Sequence, residues 1–409
     1  MTLISEIENK RAVQQVVQLS QQIDSVAVIL TSSRSGSSLF KEILSKHHSI
    51  ASLSGEIEPF LALSRNGFGF TSDSDAINQV VNREELLSNL FDDLGVPSVN
   101  FCSHDSLKNR WRKKCLIQFP KLFANNQNYK KLLISLDLAL EKITNIDTKS
   151  EYKIHHEILH EIYKNHPWRI NYYDGFIGTS LIKSFDEPLK IEEPPFVTPQ
   201  LFKRQFNEKD ANNKTLLFKT PQDCHRIGMY ETLFPNAKIK YIHLTRGYAQ
   251  TTNGLMDGWL SPTSFFAHNL GSMLNISGYS DHVEFGTKWW KFDFPPNWHE
   301  FINADLINVC ANQWFSAHKA ILDSNVSYLR VQFEEFIRAP SQTIKIILEY
   351  LGLNDMEIPS TLPLVMVTEK PKSYRWRKRE REILALGERK DIQDMMNRLG
   401  YAMDPSTWV

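Results

Sequence analysis

Cysteine is scarce in this chain, and its distribution argues against a cross-linked or zinc-binding scaffold. Only four cysteines occur among the 409 residues, and no two of them form a C-x-x-C pair. They are scattered along the chain at Cys102, Cys115, Cys224 and Cys310. A disulfide framework or a zinc cysteine cluster needs cysteines at paired spacings, so we expect neither here.

The chain also lacks an excess of either charge. Lysine and arginine together number 47, and so do aspartate and glutamate, which makes the formal net charge zero. A general nucleic-acid coat or a membrane-surface protein would instead present a broad basic field. We therefore expect no nucleic-acid partner, although this balance leaves room for a local basic pocket that binds a polyanion.

Long apolar runs are absent as well. No segment approaches the roughly 18 uninterrupted apolar residues that indicate a membrane span. The polar N-terminal stretch to about Gln22 has the pattern of an amphipathic helix and contains no apolar signal core. We therefore expect a cytoplasmic protein without a membrane span, and the sequence leaves its oligomeric state open.

What the sequence does contain is a strand, a tight loop of small residues and the start of a helix near its N-terminus. Residues 26–30 form a short apolar run rich in β-branched residues, of the length that a buried strand takes. Gly36 permits a sharp turn, and Ser37 and Ser38 begin a helix. Free backbone N–H groups at a helix start bind anions, and Arg34 adds a positive charge beside them. The segment therefore predicts a site for a phosphate or a phosphate-like group.

The same loop lacks the signature of a P-loop kinase. That motif, G-x-x-x-x-G-K-[ST], places its lysine on the β/γ-phosphates and its hydroxyl on magnesium. Here Ser37 follows Gly36, and the basic residue stands two positions before the glycine. A kinase is therefore the less favoured alternative, and magnesium dependence would distinguish it.

Regular alternation of strands and helices indicates an α/β fold. Strand patterns occur at residues 215–219, 238–245 and 326–333, and helix patterns at residues 223–234 and 334–351. Such alternation is typical of a parallel sheet covered by helices on both faces. Residues 68–210 have a mostly helical pattern. We expect them to form an insertion that shapes the acceptor pocket within a single domain spanning residues 1–409.

The loop at residues 34–38, Arg-Ser-Gly-Ser-Ser, resembles the 5′-phosphosulfate loop of sulfotransferases that use PAPS, 3′-phosphoadenosine 5′-phosphosulfate. The resemblance extends over about residues 26–401, with a gap over the helical insertion. It implies a P-loop-like three-layer α/β fold with a central parallel sheet. It also implies that PAPS is the sulfuryl donor and adenosine 3′,5′-bisphosphate the product, with no metal. The phosphosulfate would be bound by Arg34 and by the backbone N–H groups of Ser35, Gly36, Ser37 and Ser38.

A Gly55-Glu56 pair follows the helix after the loop. Tyrosylprotein sulfotransferases and some others carry a Gly-Glu at a similar distance, and their glutamate is the catalytic base. The resemblance gives this role to Glu56. A carboxylate near the loop can accept the proton of an attacking hydroxyl or amine. Glu58, His47 and His48 are rival bases, and the sequence does not choose among them.

A second segment, Leu-Leu-Phe-Lys-Thr-Pro at residues 216–221, looks like one in the same group of sulfotransferases. There a lysine at the end of a strand faces the transferred sulfuryl group, and Lys219 takes that position. Sulfuryl transfer resembles phosphoryl transfer, because positioning and charge neutralisation supply most of the catalysis. We therefore assign Lys219 a catalytic role together with Arg34 and Glu56.

Residues 242–248 are similar to the 3′-phosphate motif, in which a strand ends in arginine and a serine follows eight residues later. Arg246 matches the arginine, whose planar guanidinium suits a phosphate. The serine is not matched, because this chain has Gly254 at that position. Replacement contacts would come from the same helix, from Thr251, Thr252, Asn253 or a backbone N–H group.

Basic and aromatic residues cluster at residues 370–378, where sulfotransferases carry a late basic loop that closes over the nucleotide. The resemblance implies that this segment supplies phosphate contacts and stacking on adenine. The residues assigned to these contacts are Tyr374, Arg375, Trp376 and Arg377.

An H-E-x-x-H motif at His156, Glu157 and His160 favours a different class of enzyme. On a helix its histidines lie at i and i+4, where they would bind zinc, with Glu157 as the general base of a metallopeptidase. No third ligand with a recognised spacing follows, and the motif lies outside the α/β alternation. We expect exposed histidines on a solvated helix and no metal.

Taken together, these motifs favour a sulfotransferase that acts on a hydroxyl or an amine of a small-molecule or carrier-bound acceptor. Because Gly254 departs from the family pattern, a catalytically inactive nucleotide-binding protein of the same fold stays an alternative beside the zinc metallopeptidase.

Overall fold

The computed structural model describes residues 3–143, 150–176, 185, 191–261, 266–271, 274–366 and 371–408. The strands are β1 Ser25–Leu30, β2 Ile50–Ser52, β3 Gly95–Pro97, β4 Lys203–Gln205, β5 Thr215–Lys219, β6 Lys238–Thr245, β7 Ala267–Asn269, β8 Trp289–Lys291 and β9 Tyr328–Gln332. The α-helices are α1 Leu3–Gln21, α2 Ser37–Leu44, α3 Glu58–Leu63, α4 Arg83–Asp93, α5 His104–Gln118, α6 Pro120–Phe123, α7 Asn126–Lys142, α8 Glu151–Ile162, α9 Met229–Leu233, α10 Tyr248–Trp259, α11 Leu306–Asp323, α12 Phe333–Arg338, α13 Pro340–Leu351, α14 Glu380–Gly387 and α15 Lys390–Leu399. Short 3₁₀ helices lie at Pro167–Tyr172, Glu208–Asp210, Pro221–His225, Trp298–Phe301, Arg375–Arg379 and Pro405–Thr407.

Seven strands form one central sheet in the order β4-β3-β2-β5-β1-β6-β9. Strand β1 lies between β5 and β6 and pairs with both in parallel, with Val28 opposite Phe218 on one side and Tyr241 on the other. Strand β2 extends the sheet beyond β5, and β9 extends it beyond β6, again in parallel. The four strands that the sequence pattern predicted are therefore confirmed.

The sheet is mostly rather than wholly parallel, and two short strands at one edge were not predicted from the sequence. Strand β3 is antiparallel to β2, and β4 is antiparallel to β3. Both strands come from residues 68–210 and have only three residues each, with Gly95 and Pro97 in β3. Strands this short have no periodic apolar pattern, so the sequence gives no signal for them.

Strand β1 is buried on both faces, as the middle layer of a three-layer α/β fold requires. Val26, Val28 and Leu30 pack into one apolar cluster together with residues of α4, α9 and α11. Ala27 and Ile29 point to the opposite face and pack with residues of α2, α12 and α13. Burying each large apolar side chain contributes about 1.5–3 kcal/mol. The predicted three-layer architecture is thus confirmed.

Helices α5 to α8 pack around an apolar cluster of their own, beside the edge formed by β3 and β4. Trp111, Phe119, Leu136 and Ile158 are among its buried members. No helix in the described part of the chain is long and apolar enough to cross a membrane. That residues 68–210 shape an acceptor pocket stays a prediction.

Two predicted helices are interrupted. The pattern at residues 223–234 corresponds to a 3₁₀ turn and then α9, with Gly228 between them. The pattern at residues 334–351 corresponds to α12 and α13, and Pro340 is the first residue of α13. Proline cannot donate the backbone hydrogen bond that a continuous helix needs, so the chain begins a new helix there.

Candidate functional site

The loop between β1 and α2 is held tightly against strand β6. The hydroxyl of Thr31 donates to the Leu244 carbonyl at 2.9 Å and lies 2.5 Å from the Ser35 hydroxyl. Gly36 closes the loop with φ 88°, and α2 begins at Ser37 without a side-chain cap. The first N–H groups of an uncapped helix start carry partial positive charge, so this end of α2 favours an anion.

Gly36 is required here by space as well as by its positive φ. A Cβ added at this position would lie 2.2 Å from Cε2 of the Phe333 ring, at the start of α12. The Phe333 ring also lies under the Arg246 guanidinium, whose Cζ is 4.9 Å from the ring centroid. The loop, Phe333 and Arg246 therefore pack as one unit.

Replacing Gly36 by alanine should destabilise the protein by about 2–5 kcal/mol, because a left-handed alanine costs roughly 1–2 kcal/mol and overpacking against Phe333 a further 1–3. Urea unfolding measures this loss. Gly69→Ala is the matched control, because Gly69 has φ 78° but nothing within 4 Å of an added Cβ. Equal losses at the two positions would show that the Phe333 contact adds nothing.

Three arginines converge beside the loop. Arg34 follows β1 with φ 64° and donates from Nη1 to the Met366 carbonyl at 3.1 Å. Arg246 follows β6 and donates from Nη1 to the Arg34 carbonyl at 3.2 Å, and its buried Nε has no hydrogen-bond partner in the described part of the chain. Burial, then the charges of Arg246 and Arg375, lowers the pKa of Arg34 to about 10. Such a cluster of cations is stabilised by an anion that binds among them.

Lys219 and Glu56 form an ion pair next to this cluster. Lys219 is the last residue of β5, and its Nζ donates to Glu56 Oε1 at 2.5 Å and to the Ser38 hydroxyl at 3.2 Å. Lys219 is buried, whereas 27% of the Glu56 side chain is exposed. The arrangement places a cation and a carboxylate within reach of the same bound group.

The rival bases lie in different surroundings. His47 donates from Nε2 to the Asn354 carbonyl at 2.9 Å, and its Nδ1 accepts from the Ser49 N–H at 3.0 Å. Burial lowers the pKa of His47. His48 is exposed and stacks on His47. Glu58 forms an ion pair with the buried Arg226. Among these candidates, Glu56 is the one paired with Lys219.

The late basic segment is anchored by Asp257 on helix α10. Asp257 accepts from Arg375 at 2.8 Å, from Lys378 at 3.1 Å and from Arg379 at 2.8 Å. Burial raises the pKa of Asp257, but hydrogen bonds and charge from Arg379 and Lys378 outweigh it and lower the pKa overall. Sequence reasoning missed Asp257, because only its contacts with residues more than a hundred positions away reveal it.

The aromatic residues of this segment differ in exposure. Trp376 is 1% exposed, donates from Nε1 to the Trp408 carbonyl at 2.8 Å and packs against the Trp408 ring. Tyr374 is 38% exposed. Arg377 lies over both the Tyr374 and Trp376 rings. Trp376 therefore anchors the segment to the core, whereas the Tyr374 ring is exposed to solvent. Lys370 lies outside the described residues.

Helix α10 carries the position where a serine was expected. A Cβ added to Gly254 would lie 3.5 Å from Cβ of Arg34, an ordinary contact distance, so a serine fits there. Thr251 and Thr252 are fully buried, and their hydroxyls have no hydrogen-bond partner among the described residues. Asn253 accepts from Arg379 at 2.5 Å. Asn253 therefore helps to hold the basic segment in place.

A large cleft of about 880 Å³ brings most of these predicted residues together. Predicted site residues that line it are Arg34, Gly36, Ser37, Ser38, Glu56, Lys219, Arg246, Asn253, Gly254, Tyr374, Arg375 and Trp376. Ser35, Thr251 and Arg377 do not line it. Met366 lines it and was not predicted.

A second cavity of about 580 Å³ adjoins the large cleft. Ser38, Glu56, Lys219 and Met366 line both spaces. The ion pair of Glu56 and Lys219 therefore lies at the junction of the two. This geometry permits a group to pass from a molecule in one space to a molecule in the other.

The H-E-x-x-H motif lies on α8, in the helical layer. The Nε2 atoms of His156 and His160 are 3.2 Å apart on the exposed face of that helix. Over the residues that the structure describes, no group of three or more His, Cys, Asp or Glu side chains is arranged to hold a metal ion. The described residues therefore provide no third ligand for the zinc site that the metallopeptidase alternative requires.

Comparison with known proteins gives a family match and weaker structural likenesses. A model of the sulfotransferase family matches residues 27–357. No curated protein matches the chain. Similar solved structures include the sulfotransferase domain from the Synechococcus PCC 7002 olefin synthase, with 14% identity, 94% of this chain and 86% of that chain covered, and a TM-score of 0.31.

Two further solved structures are similar at 11% identity. The sulfotransferase from Alicyclobacillus acidocaldarius has a TM-score of 0.35, with 94% of this chain and 98% of that chain covered. A sulfotransferase from Mycobacterium tuberculosis has a TM-score of 0.33, with 84% and 73% covered. TM-scores this low do not support an assignment, so the family is assigned from the family match over most of the chain. By that match, the chain belongs to the sulfotransferase family.

Proposed function

We propose that this protein transfers a sulfuryl group from PAPS to a hydroxyl or an amine of a small-molecule or carrier-bound acceptor. The observation that carries the proposal is the position of the Glu56–Lys219 ion pair, at the junction of the large cleft and the second cavity. In this proposal PAPS occupies the large cleft, and the acceptor enters through the second cavity.

The residues of the large cleft fit a molecule with two separate anionic groups. Arg34 and the N–H groups at the start of α2 would bind the 5′-phosphosulfate. Arg246 and Arg375 would bind the 3′-phosphate, and the buried Nε of Arg246 still has a proton to donate. Tyr374 is more exposed than Trp376 and so is the better placed to stack on adenine.

The proposed reaction is an in-line displacement at sulfur. The acceptor oxygen or nitrogen forms a bond to sulfur while the bond from sulfur to the bridging phosphate oxygen breaks. Glu56 accepts the proton that the acceptor loses. Lys219 donates a hydrogen bond to the oxygens on which negative charge accumulates, and its fixed position makes that stabilisation available without rearrangement.

Isothermal titration with adenosine 3′,5′-bisphosphate tests the donor assignment. Arg246→Ala should weaken binding about 10- to 100-fold, because a hydrogen bond to a charged group contributes about 1.5–3 kcal/mol. Gly254→Ser should strengthen it by supplying the missing hydroxyl, a contact worth about 0.5–1.5 kcal/mol.

Arg330→Ala is the matched control for this titration. Arg330 lies on β9 beside β6, donates to the Arg398 carbonyl and does not line the large cleft. Its loss should leave binding unchanged. If the unmodified protein does not bind adenosine 3′,5′-bisphosphate, the donor assignment is wrong.

A further inference from the structure

We infer that the acceptor carries an ammonium group, which the carboxylates of the second cavity bind while another group of the acceptor faces Glu56. The inference rests on the proposed function, since it names the substrate class of the same site.

Acidic side chains dominate the wall of the second cavity. Eight carboxylic acids line it, against two lysines and one histidine. Lys219 is already paired with Glu56. The Lys41 ammonium donates to the Leu53 and Gly55 carbonyls at 2.8 and 2.7 Å, and burial lowers its pKa to about 7. The wall therefore has little positive charge to offer an anionic acceptor.

Some of these acids are already satisfied by the protein. Glu58 pairs with Arg226, and Asp174 accepts from the Met366 N–H at 3.1 Å. Burial, then the charge of Glu58, raises the pKa of Asp75 well above its ordinary value, and Oδ2 of Asp75 accepts from the Phe294 N–H at 2.6 Å. These three acids add little attraction for a ligand. Glu42 lies 3.5 Å from the Lys46 ammonium, and Glu151 accepts from the Leu201 N–H at 3.0 Å. Apart from Glu56, this leaves the carboxyl groups of Glu192 and Glu193.

Glu192 has an oxygen that the protein leaves unsatisfied. The residue is 8% exposed, and its Oε1 lies 3.5 Å from the Lys114 ammonium. Oε2 is buried and has no hydrogen-bond partner of acceptable geometry among the residues that the structure describes. Burial raises the pKa of Glu192, and Lys114 and the Gln118 amide offset this only in part. A buried carboxylate oxygen without a donor is costly, and an ammonium supplies up to three donors.

Glu193 adds a second carboxylate next to Glu192 on the same wall. Its Oε1 lies 3.1 Å from Nδ1 of His268, and its side chain is 15% exposed. Rings of Phe68, Phe70 and Trp289 line the same space. Ring faces attract cations in addition to burying apolar surface. Carboxylates beside aromatic rings are the pattern that selects an amine with an apolar or sugar-like body, and they repel an anionic acceptor.

Matched probes test this inference by equilibrium binding rather than by turnover. We would titrate tyramine and N-acetyltyramine, and then chitobiose with free amines and its N,N′-diacetylated form, into the protein saturated with adenosine 3′,5′-bisphosphate. Acetylation removes the positive charge and keeps the rest of each molecule. In at least one pair, the amine should bind about 10-fold or more tightly than its acetylated partner.

Glu193→Gln should reduce that preference several-fold, because glutamine can still accept from His268 but no longer carries a charge. Glu192→Gln provides a second variant. Its preference for amines is interpreted only if its melting temperature stays near that of the unmodified protein. Glu300→Gln is the matched control, since Glu300 is exposed and lines neither space. Its amine preference should be unchanged.

The inference is overturned if the acetylated probes bind as well as the amines, if neither member of either pair binds, or if Glu193→Gln leaves the preference intact. The proposed function fails separately, when adenosine 3′,5′-bisphosphate does not bind. A protein that binds the nucleotide but does not prefer amines keeps the proposed function and loses only this inference.

Discussion

Replacing Glu56 by glutamine should lower the turnover number by a factor of about 10²–10⁴, the range that general base catalysis contributes. Binding of adenosine 3′,5′-bisphosphate should stay nearly unchanged. Glutamine has the same shape and still accepts a hydrogen bond from Lys219, but it does not take up a proton. The rate of adenosine 3′,5′-bisphosphate release from PAPS and acceptor measures the first effect, and isothermal titration measures the second.

The environment of Glu56 explains why this substitution separates the two effects. Its Oε1 is paired with Lys219, and its side chain is partly exposed at the junction of the large cleft and the second cavity. The three arginines that would bind the nucleotide contact other residues. A change confined to the Glu56 carboxylate therefore acts on proton transfer and leaves the anion site in place.

His48→Gln is the matched control for this prediction. His48 was a rival base, but it is exposed and lines neither space. Its replacement should leave turnover unchanged. If Glu56→Gln is as active as the unmodified protein, the base is another residue, and Glu58 is the next to test. Nucleotide binding without turnover of any acceptor would instead support the inactive-protein alternative.

The strands of the core could be predicted because buried parallel strands have continuous apolar sequences. Residues 26–30 and 215–219 follow this rule, and β1 and β5 lie there. Strands β3 and β4 could not be predicted, because each has only three residues, too few to show an apolar pattern. Gly95 of β3 leaves space for the Lys203 side chain of β4, whose Cδ would lie 3.0 Å from a Cβ added at Gly95.

The candidate site could be predicted to the extent that it follows strand ends. Arg34, Lys219 and Arg246 come at or after the carboxyl ends of β1, β5 and β6, which are adjacent in the sheet. Ligands of open α/β sheets bind at this edge, so motifs in separate parts of the sequence meet there. Asp257 and Phe333 could not be predicted, because their roles depend on contacts with Arg375 and Gly36 that no local pattern records.

Replacing Lys219 by methionine should lower the turnover number by about 10²–10³, since removal of one preorganised donor to a developing negative charge typically costs that much. Methionine retains the apolar stem and removes the ammonium that now contacts Glu56 and Ser38. Steady-state kinetics at saturating PAPS measure the loss. Lys203→Met is the matched control, because Lys203 is also a buried strand lysine, donates to Ser52 at 2.7 Å and lines neither space.

The double variant Glu56→Gln/Lys219→Met distinguishes two ways in which Lys219 acts. If Lys219 only positions Glu56, its removal should cost nothing further once Glu56 is glutamine, and the two losses will not add. If Lys219 stabilises charge on the sulfuryl and bridging oxygens, as we propose, the double variant should be slower than either single variant. Lys203→Met should reduce stability and leave turnover near that of the unmodified protein. If the Lys219→Met and Lys203→Met variants have equal turnover numbers, Lys219 has no role in the reaction.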